Sequence, residues 1–66
     1  MNAKYYKYDN FSWLVNVNGI DCFIEGNNKY GYKVKIEYTI LYSDMNFNNC
    51  LKWCENNLCL DYCKNL

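Results

Sequence analysis

The chain has 66 residues, which is enough for one domain (residues 1–66) and leaves no room for a second hydrophobic core. Seven lysines balance seven acidic residues, and this zero net charge disfavours nucleic acid as the main partner, because nucleic-acid binding normally requires an excess of basic residues. There is no histidine, no arginine and no glycine-rich phosphate loop, so we expect a protein that is not an enzyme and holds no cofactor. The longest apolar run is far too short for a membrane-spanning helix, and the first ten residues lack the apolar region of a signal peptide. We therefore expect a cytoplasmic protein.

The N-terminal half predicts strands. Residues 4–8 are polar and rich in tyrosine, and they form either an extension of the first strand or a short strand of their own that turns at Asp9-Asn10. Residues 11–17 and 20–25 predict a β-hairpin around Asn18-Gly19, the dipeptide best suited to a two-residue turn. In this hairpin Val17 faces Ile20 and Val15 faces Cys22. The strand alternation predicts one apolar face that carries Phe11, Trp13, Val15 and Val17.

Residues 30–42 alternate between apolar and polar side chains over an unusual length and predict one long third strand. A three-residue loop over residues 27–29 pairs Gly26 with Tyr30 and sets Asp21 opposite Lys35, a favourable cross-strand pair. A five-residue loop preserves the same parity and is the alternative.

The C-terminal part changes to the period of a helix, which we expect over residues 45–63 with Ser43 or Asp44 as its N-cap. Asn56-Asn57 is a weak point because asparagine lowers helix propensity. The apolar stripe that should cover the sheet consists of Phe47, Leu51, Cys54, Leu58 and Tyr62. The predicted fold is α+β: a three-stranded antiparallel meander, with or without a short extra N-terminal strand, packed against one C-terminal α-helix as a two-layer sandwich.

The five cysteines have two interpretations. A straight helix points Cys50 and Cys54 away from Cys59 and Cys63, so these four thiols cannot surround one zinc ion, and we expect no metal site. Together with Cys22 they are then small apolar core residues. A break at Asn56-Asn57 is what a zinc-stabilised adaptor would require, and this remains an alternative.

Three surfaces are candidates for binding. Trp53 and Leu60 lie on the helix face opposite the apolar stripe and form a candidate partner interface, unless a kink or the N-terminal residues cover them. Residues 37–42 extend beyond the short second strand, so the sheet edge at Tyr38, Ile40 and Tyr42 is a candidate for self-association as a homodimer. The outer sheet face places Leu14, Phe23 and Lys33 in one cross-strand row. An alternative nucleic-acid or nucleotide-binding face would use Phe23, Lys33 and Lys35.

The function expected from these features is that of a small non-enzymatic binding protein that occludes a larger host protein or protein complex. In its size, its lack of catalytic residues and its α+β form, the chain is similar in kind to phage-encoded inhibitors of bacterial defence, anti-CRISPR proteins among them, although no specific residues carry this likeness. The abundance of asparagine, lysine and tyrosine indicates an A+T-rich genome. A phage-encoded protein would act in the host cytoplasm. The alternatives are the nucleic-acid-binding module and the zinc-stabilised adaptor.

Overall fold

The computed structural model describes residues 3–58, which fold into one antiparallel sheet and one helix. The elements in chain order are β1 (Lys4–Asp9), β2 (Ser12–Val17), β3 (Ile20–Asn27), β4 (Gly31–Ile36), β5 (Thr39–Asp44) and α1 (Phe47–Asn57). Within these residues the strands lie in the sheet in the order in which they occur in the chain. The α+β class and the antiparallel meander are thus confirmed, and the short extra N-terminal strand that the prediction allowed is present as β1. The predicted strand count is still wrong, because the described part of the sheet has five strands.

The first of the two additional strands is β1, a strand of its own that pairs with β2 through Tyr5–Val15 and Tyr6–Leu14. The Asp9 carboxylate stabilises the turn between them, because its Oδ1 accepts hydrogen bonds from the Phe11 backbone N–H at 2.9 Å and the Ser12 hydroxyl at 2.7 Å. Phe11 therefore lies in the turn and is exposed, not in the core as predicted.

The β2–β3 hairpin has the predicted register: Val17 lies opposite Ile20 and Val15 opposite Cys22. Asn18 and Gly19 both have positive φ, at 57° and 78°, as a two-residue turn of this kind requires. The inward side chains of this hairpin, Val15, Val17, Cys22 and Ile24, are at most 2% exposed.

The β3–β4 pairing is shifted by two residues from the preferred prediction and follows the five-residue alternative, with Gly26 opposite Tyr32. The Asn27 side chain accepts hydrogen bonds from the backbone N–H groups of Lys29 and Tyr30, at 3.0 and 2.8 Å. These bonds stabilise a turn that lies one residue later in the chain than the predicted turn. The parity is unchanged, so Val34 still faces the core. The expected Asp21–Lys35 pair is not formed.

The prediction of one long strand over residues 30–42 is wrong, because the chain turns at Glu37-Tyr38 and returns as β5. Ile36 then lies opposite Thr39, and Glu37 has a φ of 53°. Folding back gives β4 a second hydrogen-bonded neighbour, which satisfies backbone groups that a protruding strand would leave unpaired. The overhang on which the homodimer prediction depended does not exist.

A β-bulge in β5 changes which of its side chains face the core. Val34 pairs with Tyr42 while Lys35 pairs with Ile40, so Leu41 is the extra residue. Leu41 and Tyr42 both pack against the core, and Ile40 lies on the opposite face, next to Lys35. The predicted common face of Tyr38, Ile40 and Tyr42 is therefore wrong.

Helix α1 begins two residues later than predicted and ends earlier. Its N-cap is Asn46, whose side-chain oxygen accepts a hydrogen bond from the Asn49 backbone N–H at 3.2 Å, whereas Ser43 and Asp44 belong to β5. The helix ends at the predicted weak point, Asn57, and Leu58 has extended backbone angles. Its buried side chains, Cys50 and Cys54, pack with Leu58 on the inner face of the sheet. The predicted extension to residue 63 lies outside the described residues.

Candidate binding site on the outer sheet face

The sheet has two unlike faces, and the face opposite α1 carries one side chain from every strand in a single line. Successive pairings set Tyr6 opposite Leu14, Leu14 opposite Phe23, Phe23 opposite Lys35 and Lys35 opposite Ile40. Because residues directly opposite each other in an antiparallel pair share a face, these five side chains lie together. We call them the outer row: Tyr6, Leu14, Phe23, Lys35 and Ile40.

The outer row is apolar along most of its length and open to solvent at both ends. Tyr6 is 62% exposed and Ile40 is 52% exposed, while the three central side chains are half-buried by their neighbours. Tyr8, which is also exposed, packs edge-on against the ring of Phe23 with the ring centroids 5.3 Å apart. The result is a mostly apolar strip across the described sheet, with the charged Lys35 as its member on β4.

Polar side chains lie on both sides of this strip. On one side the Asn16 amide donates a hydrogen bond to Asp21 at 2.8 Å. On the other side Ser12, Glu25 and Lys33 follow one another across β2, β3 and β4. The Lys35 ammonium lies 3.2 Å from the Glu25 carboxylate, so the charge of the outer row is balanced locally. An apolar centre with a polar rim is the usual anatomy of a protein-binding surface.

A cleft of about 710 Å³ opens beside the polar rim, between the β1–β2 turn and the β3–β4 turn. The Gly26 backbone N–H donates to the Phe11 carbonyl at 2.8 Å and holds the two turns together. Phe11 and Tyr30 line this cleft, and both are exposed. The charged residues that line it are Asp9, Glu25 and Lys33. The Ser12 hydroxyl and the Phe11 N–H hold the pKa of the Asp9 carboxyl below its ordinary value.

The three residues predicted for a nucleic-acid face lie in two adjacent rows of the sheet. Phe23 and Lys35 belong to the outer row, and Lys33 lies in the adjacent polar row. The predicted row of Leu14, Phe23 and Lys33 is wrong in its last member, because the two-residue shift of β4 brings Lys35 opposite Phe23. Sequence reasoning missed Tyr6 and Tyr8, although their two-residue spacing in β1 is itself a strand signal.

The Trp53 side chain is packed against strand β5 and is not fully exposed on the helix surface. It is half-buried, and its ring stacks on that of Tyr42 with a centroid distance of 5.4 Å and an interplanar angle of 10°. The Tyr42 hydroxyl in turn donates to Asp44 at 2.9 Å. The unpredicted strand β5 supplies this contact to a helix face that a three-stranded sheet would have left open. Leu60, the other residue of the predicted helix interface, lies outside the described residues.

The three predicted edge residues are separated by the turn and the bulge. Tyr38 lies in the β4–β5 turn and is 97% exposed, Ile40 is on the outer face, and Tyr42 packs on the core. They do not form one edge surface.

The cysteines of the described part lie in the core. Cys22 and Cys54 have their sulfur atoms 3.8 Å apart, and the Cys50 thiol donates to the Tyr32 carbonyl at 3.9 Å. Burial raises the pKa of Cys50 to about 11, and contact with Cys22 together with burial raises the pKa of Cys54 further. Among residues 3–58 no group of three or more cysteine, aspartate or glutamate side chains is arranged to hold a metal ion. Cys59 and Cys63 lie outside the described residues.

Comparison with known proteins gives no relative: no family model matches the chain, and no curated protein or solved structure is significantly similar to it. Within residues 3–58 the helix is neither long nor apolar enough to cross a membrane.

Proposed function

We propose that this chain is a non-enzymatic binding protein that occludes a surface of a larger protein, and that its outer row is the contact surface. The observation that supports this most directly is the row itself. Four of its five side chains are apolar or aromatic, and it lies on a face that neither α1 nor any other element of residues 3–58 covers. Apolar strips of this kind on a small protein are more typical of a binding site than of scattered surface residues.

Charge favours protein over nucleic acid as the partner. The lysine in the row is paired with Glu25, and Lys33 lies directly opposite Glu25 on the neighbouring strand. A phosphate backbone would meet the Glu25 carboxylate beside both ammonium groups, and phosphate contacts dominate the affinity of nucleic-acid binding. A protein partner with apolar side chains at the centre of its surface can pack against the outer row. The charge pairs then remain at the rim of the contact.

The test is affinity capture from a lysate of the native host, with variants that change the outer row. Tyr6→Ala and Ile40→Ala remove the exposed ends of the row, whereas Tyr38→Ala removes a still more exposed ring in the β4–β5 turn and is the control. Truncating an interface anchor costs about 2 kcal/mol, which corresponds to about a 30-fold weaker Kd. The proposal predicts that one or more proteins are lost with both row variants and retained with the control. Equal capture by all three variants contradicts it.

A second copy of the chain is the competing occupant of the row. Light scattering at micromolar concentration distinguishes the two cases. A dimer that Ile40→Ala dissociates would assign the row to self-association, in place of a different partner. The anti-defence role suggested by the size of the chain predicts that the captured protein belongs to a host defence system.

The alternative function, nucleic-acid binding, is favoured by one observation: Phe23 lies directly between Leu14 and Lys35, where an aromatic ring and an ammonium group are adjacent. Fluorescence anisotropy with a single-stranded oligonucleotide tests it. Binding that weakens steeply between 50 and 200 mM salt, and that Phe23→Leu reduces, would favour this function over occlusion of a protein.

A further inference from the structure

We propose that Cys22 and Cys54 are a redox-active pair that forms a reversible disulfide, a covalent link between β3 and α1. The two residues are 32 positions apart in the chain, and nothing in the spacing of the cysteines pairs them. Their juxtaposition is a product of the fold.

Among the three cysteines of residues 3–58, the geometry favours this pair. The two sulfur atoms are 3.8 Å apart, so they are already in contact, and a disulfide bond of about 2.05 Å requires them to approach by less than 2 Å. Both residues are almost fully buried, at 2% and 0% exposure, and they belong to the two layers that form the core. The neighbouring buried thiol, Cys50, is engaged elsewhere, because it donates to the Tyr32 carbonyl.

The reaction is thiol–disulfide exchange with a low-molecular-weight disulfide such as oxidised glutathione. The sulfur of one cysteine, as its thiolate, attacks the small disulfide, breaks its S–S bond and releases one small thiol. The sulfur of the second cysteine then attacks the mixed disulfide and releases the other. Overall the two protein thiols lose two protons and two electrons, and the small disulfide is reduced to two thiols. An excess of the small thiol reverses both steps.

Burial sets the rate of this reaction. The contact with Cys22 and the loss of solvent raise the pKa of the Cys54 thiol. The attacking thiolate is therefore scarce while α1 is packed against the sheet. Exchange therefore proceeds through transient opening of α1, and we expect it to be much slower than the reaction of an exposed thiol.

The link would change how firmly the helix is held. Closing a loop of this length restricts the unfolded chain, and in a domain of this size we expect the Tm of the oxidised form to rise by about 10 °C or more. The outer row is on the other face of the sheet, so the link stabilises the scaffold without covering the proposed contact surface.

Peptide mapping tests the pairing on the unaltered protein. The native chain is incubated with oxidised glutathione, its remaining thiols are alkylated at acidic pH, and it is digested with trypsin and a glutamate-specific protease. Cleavage at lysine and glutamate puts Cys54 alone in residues 53–55, separates it from Cys59 and Cys63, and places Cys22 and Cys50 in two further peptides. The expected product is residues 53–55 disulfide-linked to the Cys22 peptide. A link that joins other cysteines overturns the proposal, as does a Cys22–Cys54 link that forms only in urea.

Matched variants extend the test to stability. Cys54→Ala removes one partner and should abolish the rise in Tm on oxidation, whereas Cys50→Ala changes an equally buried thiol on the same helix and should retain it. If oxidation raises the Tm of the Cys54→Ala variant by the same amount, another pair is responsible. The peptide map does not depend on whether either variant folds.

Discussion

The side-chain amide of Asn18 donates a hydrogen bond of 2.8 Å to the backbone carbonyl of Leu58, 40 residues further along the chain. This bond joins the β2–β3 turn to Leu58, the residue that follows the last helical residue, Asn57, and it gives the Leu58 carbonyl a partner at the end of the helix. Asn18 has two roles here, since its backbone also occupies the left-handed region with a φ of 57°.

Two substitutions separate these roles. Asn18→Gly tolerates the positive φ and removes the hydrogen bond to Leu58, so we expect the free energy of unfolding to fall by about 1 kcal/mol. Asn18→Ala removes the same hydrogen bond but keeps a β-carbon in the left-handed region without the polar side chain that lets asparagine adopt it, and it should cost about 1 to 2 kcal/mol more than the glycine variant. Urea unfolding measures both. Equal losses for glycine and alanine would show that the backbone conformation contributes nothing.

Gly26 and Gly19 provide a matched pair of glycine substitutions. A β-carbon on Gly26, where φ is 137°, would overlap the backbone of Gly31 on the neighbouring strand, whereas one on Gly19 meets nothing within 4 Å. We expect Gly19→Ala to cost about 1 kcal/mol through its positive φ alone, and Gly26→Ala to cost more than about 2 kcal/mol. The urea midpoints of the two variants give the comparison. Similar midpoints would mean that β3 and β4 separate at little cost.

The stacking of Tyr42 and Trp53 predicts a structural role for a residue that sequence analysis assigned to an interface. Trp53→Leu should lower the free energy of unfolding by about 2 kcal/mol, because a half-buried ring leaves the β5–α1 contact. A double-mutant cycle with Tyr42→Leu should give a coupling energy of about 1 kcal/mol. A coupling near zero, together with loss of partner capture on Trp53→Leu, would restore the interface role.

The Asp44 carboxylate makes stability depend on pH. The Asn46 backbone N–H, the Tyr42 hydroxyl and the Asn49 side chain donate to it and hold its pKa below the ordinary value of 3.8. Because the folded state favours the ionised form, this stabilisation is present above pH 3.8 and is lost as the pH falls through the lower folded-state pKa. Asp44→Asn should therefore flatten the decline in stability on acidification, which urea unfolding at several pH values measures.

A titration of the carboxyl carbons by NMR identifies the donors. Tyr42→Phe removes the hydroxyl and should raise the pKa of Asp44 towards 3.8, while Ser12→Ala should raise the pKa of Asp9 instead, since the Ser12 hydroxyl donates to that carboxylate. A shift of Asp44 in the Ser12→Ala variant would contradict the assignment.

Local sequence determined a large part of this protein. The strand alternation and the Asn18-Gly19 turn specified the β2–β3 register residue by residue, because a slip by one would expose every apolar side chain of the hairpin. The helical period placed Cys50 and Cys54 on the core side, and the asparagine pair coincides with the last helical residues. These features depend on interactions between near neighbours in the chain, so they can be predicted from the sequence without knowledge of the fold.

Only the tertiary structure decided the rest. Nothing in the apolar alternation of residues 30–42 marks a turn at Glu37-Tyr38, and Glu37 takes a positive φ because pairing β5 with β4 outweighs its local preference. That turn and the bulge at Leu41 bring Ile40 to the outer face and put Tyr42 beneath Trp53. The outer row, the Asn18–Leu58 bond and the Cys22–Cys54 contact all join residues that are distant in sequence. Their positions depend on how backbone groups of separate strands are satisfied together, and no local pattern carries that information.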